Sequence, residues 1–336
     1  RDWSSDVCSS DLSQIWRYWP ACLILAGLLF LLDRDARRPF HVFAWLCVVL
    51  AAVGLVAAGT AVIDRIAPDA GESPAAGEYS LATPAAVDRA ASAVVSVSLS
   101  RGRLTLGTGH DGRLLAAAGA YYRRDDAPSL DAGIEGGNQG RVTFLAGRGG
   151  FLGPDWWWSE RDLPLYALTL GRPDLDHELS FSQKSGRAEL DLAGLRLRDI
   201  KLEVGSGSCT ASFGGNAVLC RGFSAGLNSG SLSLTNLAGL NAAAYTLNLN
   251  SGSLSAHFGP ARPGARYDLD LTVNSGAASL RLPEGAAMEV RLDINSGSVS
   301  VGEQSYHRGQ HTLVFGQGEP RGRLYLKMNS GTVRIQ

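Results

Sequence analysis

Two arrangements of apolar residues divide this chain. Up to Ile63 they come in unbroken runs, and from Val87 onward they alternate with polar residues. Ile15–Leu32 reads IWRYWPACLILAGLLFLL, and Phe43–Ile63 reads FAWLCVVLAAVGLVAAGTAVI, twenty-one residues without a charge. A hydrocarbon core of about 30 Å is crossed by roughly 20 helical residues. The pattern therefore predicts an N-terminal transmembrane α-helical hairpin, with helices at about 15–32 and 43–63. The first run carries Arg17 near its start, where a long side chain can snorkel to the interface. Trp16, Tyr18 and Trp19 form an interfacial aromatic belt there. Two runs around a short charged loop argue against a cleaved signal peptide. Residues 64–86 are rich in Ala, Pro, Gly, Ser and acids without apolar periodicity, and read as a linker.

Beyond the linker the period is two. Val95-Ser-Val-Ser-Leu99 alternates, Gly102 turns the chain, and Leu104-Thr-Leu106 alternates again. Arg141–Leu145 and Tyr166–Leu170 read the same way. Such runs bounded by glycine are half-buried strands.

An internal repeat is laid over this alternation. Asn-Ser-Gly occurs at Asn228, Asn250, Asn274, Asn295 and Asn329, and Lys184-Ser-Gly and Gly205-Ser-Gly precede it as looser copies. The marker serines are Ser185, Ser206, Ser229, Ser251, Ser275, Ser296 and Ser330, spaced 21, 23, 22, 24, 21 and 34 apart. Periods of this size mean a solenoid. Each marker lies between two alternating runs, as between Tyr245–Leu249 and Ser253–Ser255, so it is a corner where two short strands meet. The corner glycines are Gly186, Gly207, Gly230, Gly252, Gly276, Gly297 and Gly331. Glycine permits a positive φ or a close backbone approach. Stacking would align Asn and Ser in ladders outside and Leu and Val inside, since one coil cannot bury its own apolar face. The predicted fold class is an all-β single-stranded solenoid of stacked short strands over 87–336, after the helical hairpin. The long last gap, Gly302–Pro320, predicts a hairpin excursion or a cap, and the final strand before Gln336 is expected to close or pair the solenoid end.

Composition changes the picture in three places. With 41 Gly and 2 Met, the chain favours turn-rich β structure over a helix bundle. A formal net charge of −1 supplies no basic face for nucleic acid. Residues 1–12, RDWSSDVCSSDL, resemble the translation of a sequencing-adapter oligonucleotide. They are read as non-native, which makes Cys8 foreign and leaves the native N-terminus missing. Of the other cysteines, Cys22 and Cys47 sit in the apolar runs, where cysteine acts as a small hydrophobe. Cys209 and Cys220 could form a disulfide in an oxidising compartment or be two buried thiols on strands. Arg34, Arg37 and Arg38 between the apolar runs outnumber Arg17 and Arg65 outside them. The loop is therefore cytoplasmic and everything after Ile63 extracytoplasmic.

Candidate chemistry is sparse. Gly107-Thr-Gly-His-Asp-Gly112 fits a dinucleotide fingerprint in letters only, because a strand rather than a helix follows. Trp156-Trp157-Trp158 is a candidate interaction surface, or a cap on the solenoid core. Asp174-Leu-Asp-His177-Glu178 clusters carboxylates and a histidine, but without a calcium loop or a second histidine it reads as a solvated turn. No catalytic, cofactor-binding or metal-ligating residue is predicted. Serines at repeat corners already have a structural explanation, and no paired acid and base recurs along one face.

These residues carry a resemblance. Asp88-Arg-Ala, Gly102-x-Leu104-x-Leu106, Ser185-Gly-x-Ala-Glu-Leu-Asp-Leu192 and Leu197-Arg-Asp-Ile-Lys-Leu202-Glu-Val-Gly-Ser-Gly207 are similar to the toastrack domain of LiaF-like bacterial membrane proteins. The Asn-Ser-Gly copies resemble the same family's solenoid, shared with adhesin-type domains. Arg17-Tyr-Trp-Pro20 and Leu23-Ile-Leu-Ala-Gly27 resemble its LiaI/LiaF-type transmembrane region, where a further helix normally precedes them. The resemblance implies a membrane-anchored, non-enzymatic sensor or scaffold in the bacterial cytoplasmic membrane. Its domain would be extracytoplasmic and would act in envelope-stress or cell-wall-antibiotic response signalling. It implies no cofactor. Its partners would be the membrane and proteins such as a sensor kinase or other envelope proteins, with self-association a further option. The alternative is an adhesin-like or structural surface module without a signalling role.

Overall fold

A computed structural model of the chain describes residues 77–121, 126–147, 163–216 and 218–336. The predicted helices at 15–32 and 43–63, segment 1–12 and Trp156–Trp158 lie outside the described residues. Among the described residues, no helix is long and apolar enough to cross a membrane.

Alternation becomes strand throughout. The first strands are β1 (Gly77–Ala82), β2 (Ser92–Leu99), β3 (Arg103–Thr108), β4 (Leu115–Tyr121), β5 (Ser129–Glu135), β6 (Gln139–Ala146) and β7 (Leu165–Leu170). The repeat region begins with β8 (Asp176–Gln183), β9 (Arg187–Asp191), β10 (Arg196–Val204) and β11 (Ser208–Ser212). Next come β12 (Gly222–Thr235) and β13 (Tyr245–His257), each running unbroken through its corner, then β14 (Tyr267–Val273) and β15 (Ala277–Arg281). The last are β16 (Ala287–Ile294), β17 (Ser298–Val301), β18 (Gln304–Tyr306), β19 (Gly309–Phe315), β20 (Pro320–Met328) and β21 (Thr332–Ile335). Two short 3₁₀ turns, Val87–Arg89 and Leu237–Leu240, complete the described elements.

The strands stack in two faces joined at the corners. One face runs β5, β6, β2, β8, β10, β12, β13, β14, β20, β16, β19. The other runs β1, β4, β7, β3, β9, β11, β12, β13, β15, β21, β17, β18. Interior pairings are parallel, as a coil demands. The outermost ones, β5 on β6, β1 on β4 and β4 on β7, β19 on β16 and β18 on β17, are antiparallel caps. The all-β solenoid expected from the period is therefore present.

Chain order is not stacking order, and this corrects one expectation. The final strand β21 does not end the solenoid; it lies between β15 and β17, and β20 lies between β14 and β16. The mirror of this occurs at the other end, where β2 and β3 slide between the β6–β7 and β8–β9 coils. Every interior coil needs a neighbour on both sides to cover its apolar face. Threading the last coil inward leaves the β18–β19 excursion outside, where it covers the terminal coil. The excursion expected over Gly302–Pro320 is thus the cap. The expected linker 64–86 also needs correction: β1 lies inside it, pairing with β4 from Gly77↔Tyr121 to Ala82↔Ala116. Its period-2 stretch, Gly-Glu-Tyr-Ser-Leu-Ala, is short and carries only Tyr79 and Leu81 as large apolar residues, which hid it among linker residues.

Between the faces lies one apolar core. Ala93, Val95, Val97 and Leu99 point inward from β2, and the same alternation fills each coil. An aromatic column runs along it: Phe213, Phe223, Tyr245, Phe258 and Tyr267 meet at centroid distances of 5.4, 6.1, 5.0 and 6.2 Å. Tilted and edge-on geometries of this kind add to area burial. Buried Asn216 fastens three coils at the opposite corner. Its Nδ2 donates to the carbonyls of Leu197 (2.7 Å) and Leu240 (3.0 Å), and its Oδ1 accepts from the Leu197 amide (3.2 Å).

Candidate interaction surface

The corners stack in exact register, Ser229 on Ser251 and Gly230 on Gly252. A column of glycines results, in spatial order Gly102, Gly186, Gly207, Gly230, Gly252, Gly276, Gly331 and Gly297. From Gly186 on, a Cβ on any of these would fall well inside 3 Å of the carbonyl oxygen of the glycine before it. Gly276 illustrates both demands at once: its φ is +114°, and its Cβ would stand 2.5 Å from the Gly252 oxygen. Gly102 belongs to this column, although its Ser100-Arg-Gly102 corner lacks the Asn and escaped the repeat count.

Side chains on either side of the glycines form two ladders. Ser251 Oγ donates to the Asn228 carbonyl (2.9 Å), Ser275 to Asn250 (3.2 Å), Ser330 to Asn274 (3.0 Å) and Ser296 to Asn329 (3.1 Å). The looser copies join in, Ser206 to Lys184 (3.1 Å) and Ser185 to Ser100 (2.8 Å). Asparagine amides link coil to coil: Asn250 Nδ2 to Asn228 Oδ1 (2.7 Å), Asn274 to Asn250 (3.3 Å) and Asn329 to Asn274 (2.7 Å). Each rung satisfies a group that would otherwise face its equivalent one strand spacing away.

The amide ladder stops at Asn228, because its register mate in the next coil is Gly205. One strand position before Asn228 on the same face stands Gly226, whose absent side chain meets nothing nearer than 4.0 Å. The gap left at Gly226 opens onto a groove of about 440 Å³ at the end of the ladder, with Gly205 in its lining. Lys184, Glu203, Asn228, Asn248 and Asn250 border it, with Ser182 and Thr272 at its ends. It offers a cation, an anion and several amides over bare backbone, so it can both donate and accept hydrogen bonds to a polar partner.

The acidic cluster is divided by the strand. Asp176 and Glu178 point outward from β8, where Asp176 pairs with Arg196 (2.9 Å) and Arg198 (2.5 Å), and Glu178 with Arg221 (3.0 Å). These bonds hold the Asp176 carboxyl below the usual carboxylate range against the opposing effect of its own desolvation. His177 points inward and is 0% exposed, with Nε2 on the Arg172 carbonyl at 3.0 Å and Nδ1 without a partner. Burial pushes its pKa down from the ordinary 6.5. The solvated turn expected there holds for Asp174, which is exposed in a turn and pairs with Arg172 (2.9 Å), whereas Asp176–Glu178 are strand, with ion pairs on one side and a core histidine on the other, because period 2 sends alternate residues to opposite faces.

The two β-region cysteines are free, buried thiols, so no disulfide joins them. Cys209 faces the core from β11, while Cys220 sits at an isolated bridge to Ala242 and its thiol donates to the Gly222 carbonyl at 3.2 Å. Burial raises Cys209 to about 12 and Cys220 to about 11. The Gly107–Gly112 segment ends β3 and bends toward β4: the Gly109 amide donates to the Leu170 carbonyl (2.8 Å), at the end of the β3–β7 pairing, and β4 follows without a helix.

A family model described as Toastrack DUF4097 matches residues 167–336. No curated protein sequence matches the chain. Among solved structures, the chain is similar to a candidate cell adhesion protein from Clostridium sporogenes, at 11% identity and a TM-score of 0.37, covering 77% of this chain and 98% of that one. It is also similar to a candidate adhesin from Bacteroides fragilis, at 10% identity and a TM-score of 0.34, covering 78% and 97%.

Proposed function

For this chain, which belongs to the Toastrack DUF4097 family, we propose the role of a membrane-anchored, non-enzymatic sensor or scaffold of the bacterial cell envelope. It acts through protein–protein contacts in the response to envelope stress or cell-wall antibiotics. In this reading the apolar runs at 15–32 and 43–63 tether it, and the arginine bias supports a solenoid outside the cytoplasm. The observation that carries the reading is the corner ladder. The repeated Ser hydroxyls and Asn amides bond to the neighbouring coil. The surface chemistry they leave over is an open groove where the ladder ends, bordered by amides, Lys184 and Glu203 over bare backbone. Partners in this reading are a sensor kinase or another envelope protein.

Gly226→Leu tests it. The substitution fills the groove without touching the core, since nothing lies within 4 Å of the new Cβ except the Leu202 oxygen at 4.0 Å. In cells carrying a cell-wall-stress reporter, the variant is expected to reach the wild-type membrane level and to lose the response to a cell-wall antibiotic. A response that survives both this substitution and deletion of the whole chain would remove the signalling role and leave the structural or adhesive surface module. Antibody access to a tag at Gln336 in intact cells checks the topology; labelling only after permeabilisation would overturn the external placement.

A further inference from the structure

The two ends of the solenoid are not alike. At one end the face closes on β5, whose sequence Ser-Leu-Asp-Ala-Gly-Ile-Glu carries Asp131 and Glu135. Charges on an edge strand block the approach of another strand. At the other end it closes on β19, Gly-Gln-His-Thr-Leu-Val-Phe, without an acid, a lysine, an arginine or a proline. β19 pairs with β16 in an unbroken antiparallel register from Met288↔Phe315 to Ile294↔Gly309, so no bulge twists it away. Among the described residues, nothing pairs with its outer side. Val314 stands outward, 56% exposed. Tyr306, Leu313 and Phe315 roof the terminal coil and are only partly covered. A long, flat edge without a protective device is a template for a further strand.

We propose that β19 is a dimerisation edge on which a second copy of this chain pairs, antiparallel about a two-fold axis, joining two solenoids end to end. Antiparallel pairing lets one strand serve both sides of the contact, as an isologous interface requires. An axis through Thr312 sets Thr312 opposite Thr312, His311 opposite Leu313, Gln310 opposite Val314 and Gly309 opposite Phe315. Just beyond the strand, Arg308 meets Gly316, so no like charges face each other. Val314 and the partly covered Leu313 and Phe315 gain cover from the second copy. Seven residues make a small interface of the weak, transient class. Tethering two copies in one membrane raises their effective concentration and favours such a contact. The inference rests on the reading of this domain as a protein-contact module, but concerns its end rather than its groove.

Single-cysteine scanning of the full-length chain in membranes tests it. A disulfide forms only when the two Cα atoms come within about 7 Å. With the axis at Thr312, Thr312→Cys brings the pair together across one strand spacing. In Gln310→Cys or Val314→Cys the two sulfurs are offset by four residues, about 13 Å along the strands. Under mild oxidation, Thr312→Cys is expected to yield a dimer absent from the unsubstituted chain, with no gain at 310 or 314. A maximum at Leu313→Cys moves the axis by one residue and supports the same interface. Thr312→Lys, which sets like charges opposite each other, is expected to abolish the dimer seen by light scattering in detergent. Equal cross-linking at all positions, or none at any, would overturn the proposal; so would a disulfide between Asp131→Cys in one chain and Thr312→Cys in another, which means head-to-tail growth through β5. Gly226→Leu leaves this edge intact, so dimerisation and groove docking fail separately.

Discussion

Replacing one corner glycine with alanine should cost far more than losing a hydrogen from a surface residue suggests. Gly276 sits in the glycine column with φ at +114°, and a Cβ there would stand 2.5 Å from the Gly252 oxygen and 3.0 Å from its nitrogen. Holding a non-glycine residue in such a conformation costs about 1–3 kcal/mol. Relieving the clash means moving the β14–β15 coil off β13. That weakens the Asn274–Asn250 amide rung and the Ser275 hydroxyl bond to Asn250, now at 3.3 and 3.2 Å. Each such bond contributes about 0.5–1.5 kcal/mol. Alanine restricts the unfolded chain and returns about 0.4–1 kcal/mol. The sum is a loss of about 1–5 kcal/mol, or roughly 2–20 °C in Tm for a domain of this size. The assay is urea unfolding of Pro74–Gln336, which forms one compact unit, followed by circular dichroism. Gly226→Ala is the control on the same solenoid: its Cβ enters open space, and alanine in a strand is better than glycine by about 0.5–1 kcal/mol. It should be neutral or slightly stabilising. If Gly276→Ala costs less than about 0.5 kcal/mol, the column does not set the coil spacing and the steric argument is wrong. Solenoids can unfold piecewise, in which case the loss should appear as faster amide exchange in β13–β15.

Further outcomes follow from the same geometry. Asn250→Ala removes a rung bonded on both sides, yet the site is solvent-exposed, so urea unfolding should show a loss of about 1 kcal/mol. His177 is neutral in the fold, with its pKa below the ordinary 6.5, so it contributes stability that is present above pH 6.5 and lost as pH falls through the folded value. His177→Phe should flatten the fall in Tm below pH 6.5, and an unchanged slope would assign that fall to other groups. Cys209 lies at about 12 against an ordinary 9.0, so it favours the folded state below pH 9 and that contribution disappears as pH rises toward 12. In the Pro74–Gln336 unit, thiol reagents at pH 8 should label neither Cys209 nor Cys220 until denaturant is added; rapid native labelling would contradict their burial.

Local pattern and tertiary arrangement contributed differently to what can be read in this chain. Strands and corners were legible because both are short-range. Alternation such as Val95-Ser-Val-Ser-Leu99 dictates which side chains go inside, and Ser-Gly marks the place where only glycine fits under the next coil. The stacking order was not legible. Equivalent corners are interchangeable, so nothing in the spacing of Ser296 and Ser330 says that the last coil lies between β14–β15 and β16–β17. Gly102 was read as a turn but not as a corner, since its place in the column depends on which coil lies above it. His177 looked like part of an acidic surface because its neighbours in sequence are acidic; strand pleating alone separated it from them. Gly205 stands in the Asn place of a looser corner, but Gly226 is an unremarkable letter in a chain with 41 glycines. Only the parallel register of β10 with β12 sets Gly205 and the gap at Gly226 beside Asn228 and opens the groove. The sequence by itself determined the unit, because a strand period and a corner are decided within a few residues. The tertiary structure decided the order of units, the capped ends and the groove, because each depends on which distant coils share a hydrogen-bonded edge.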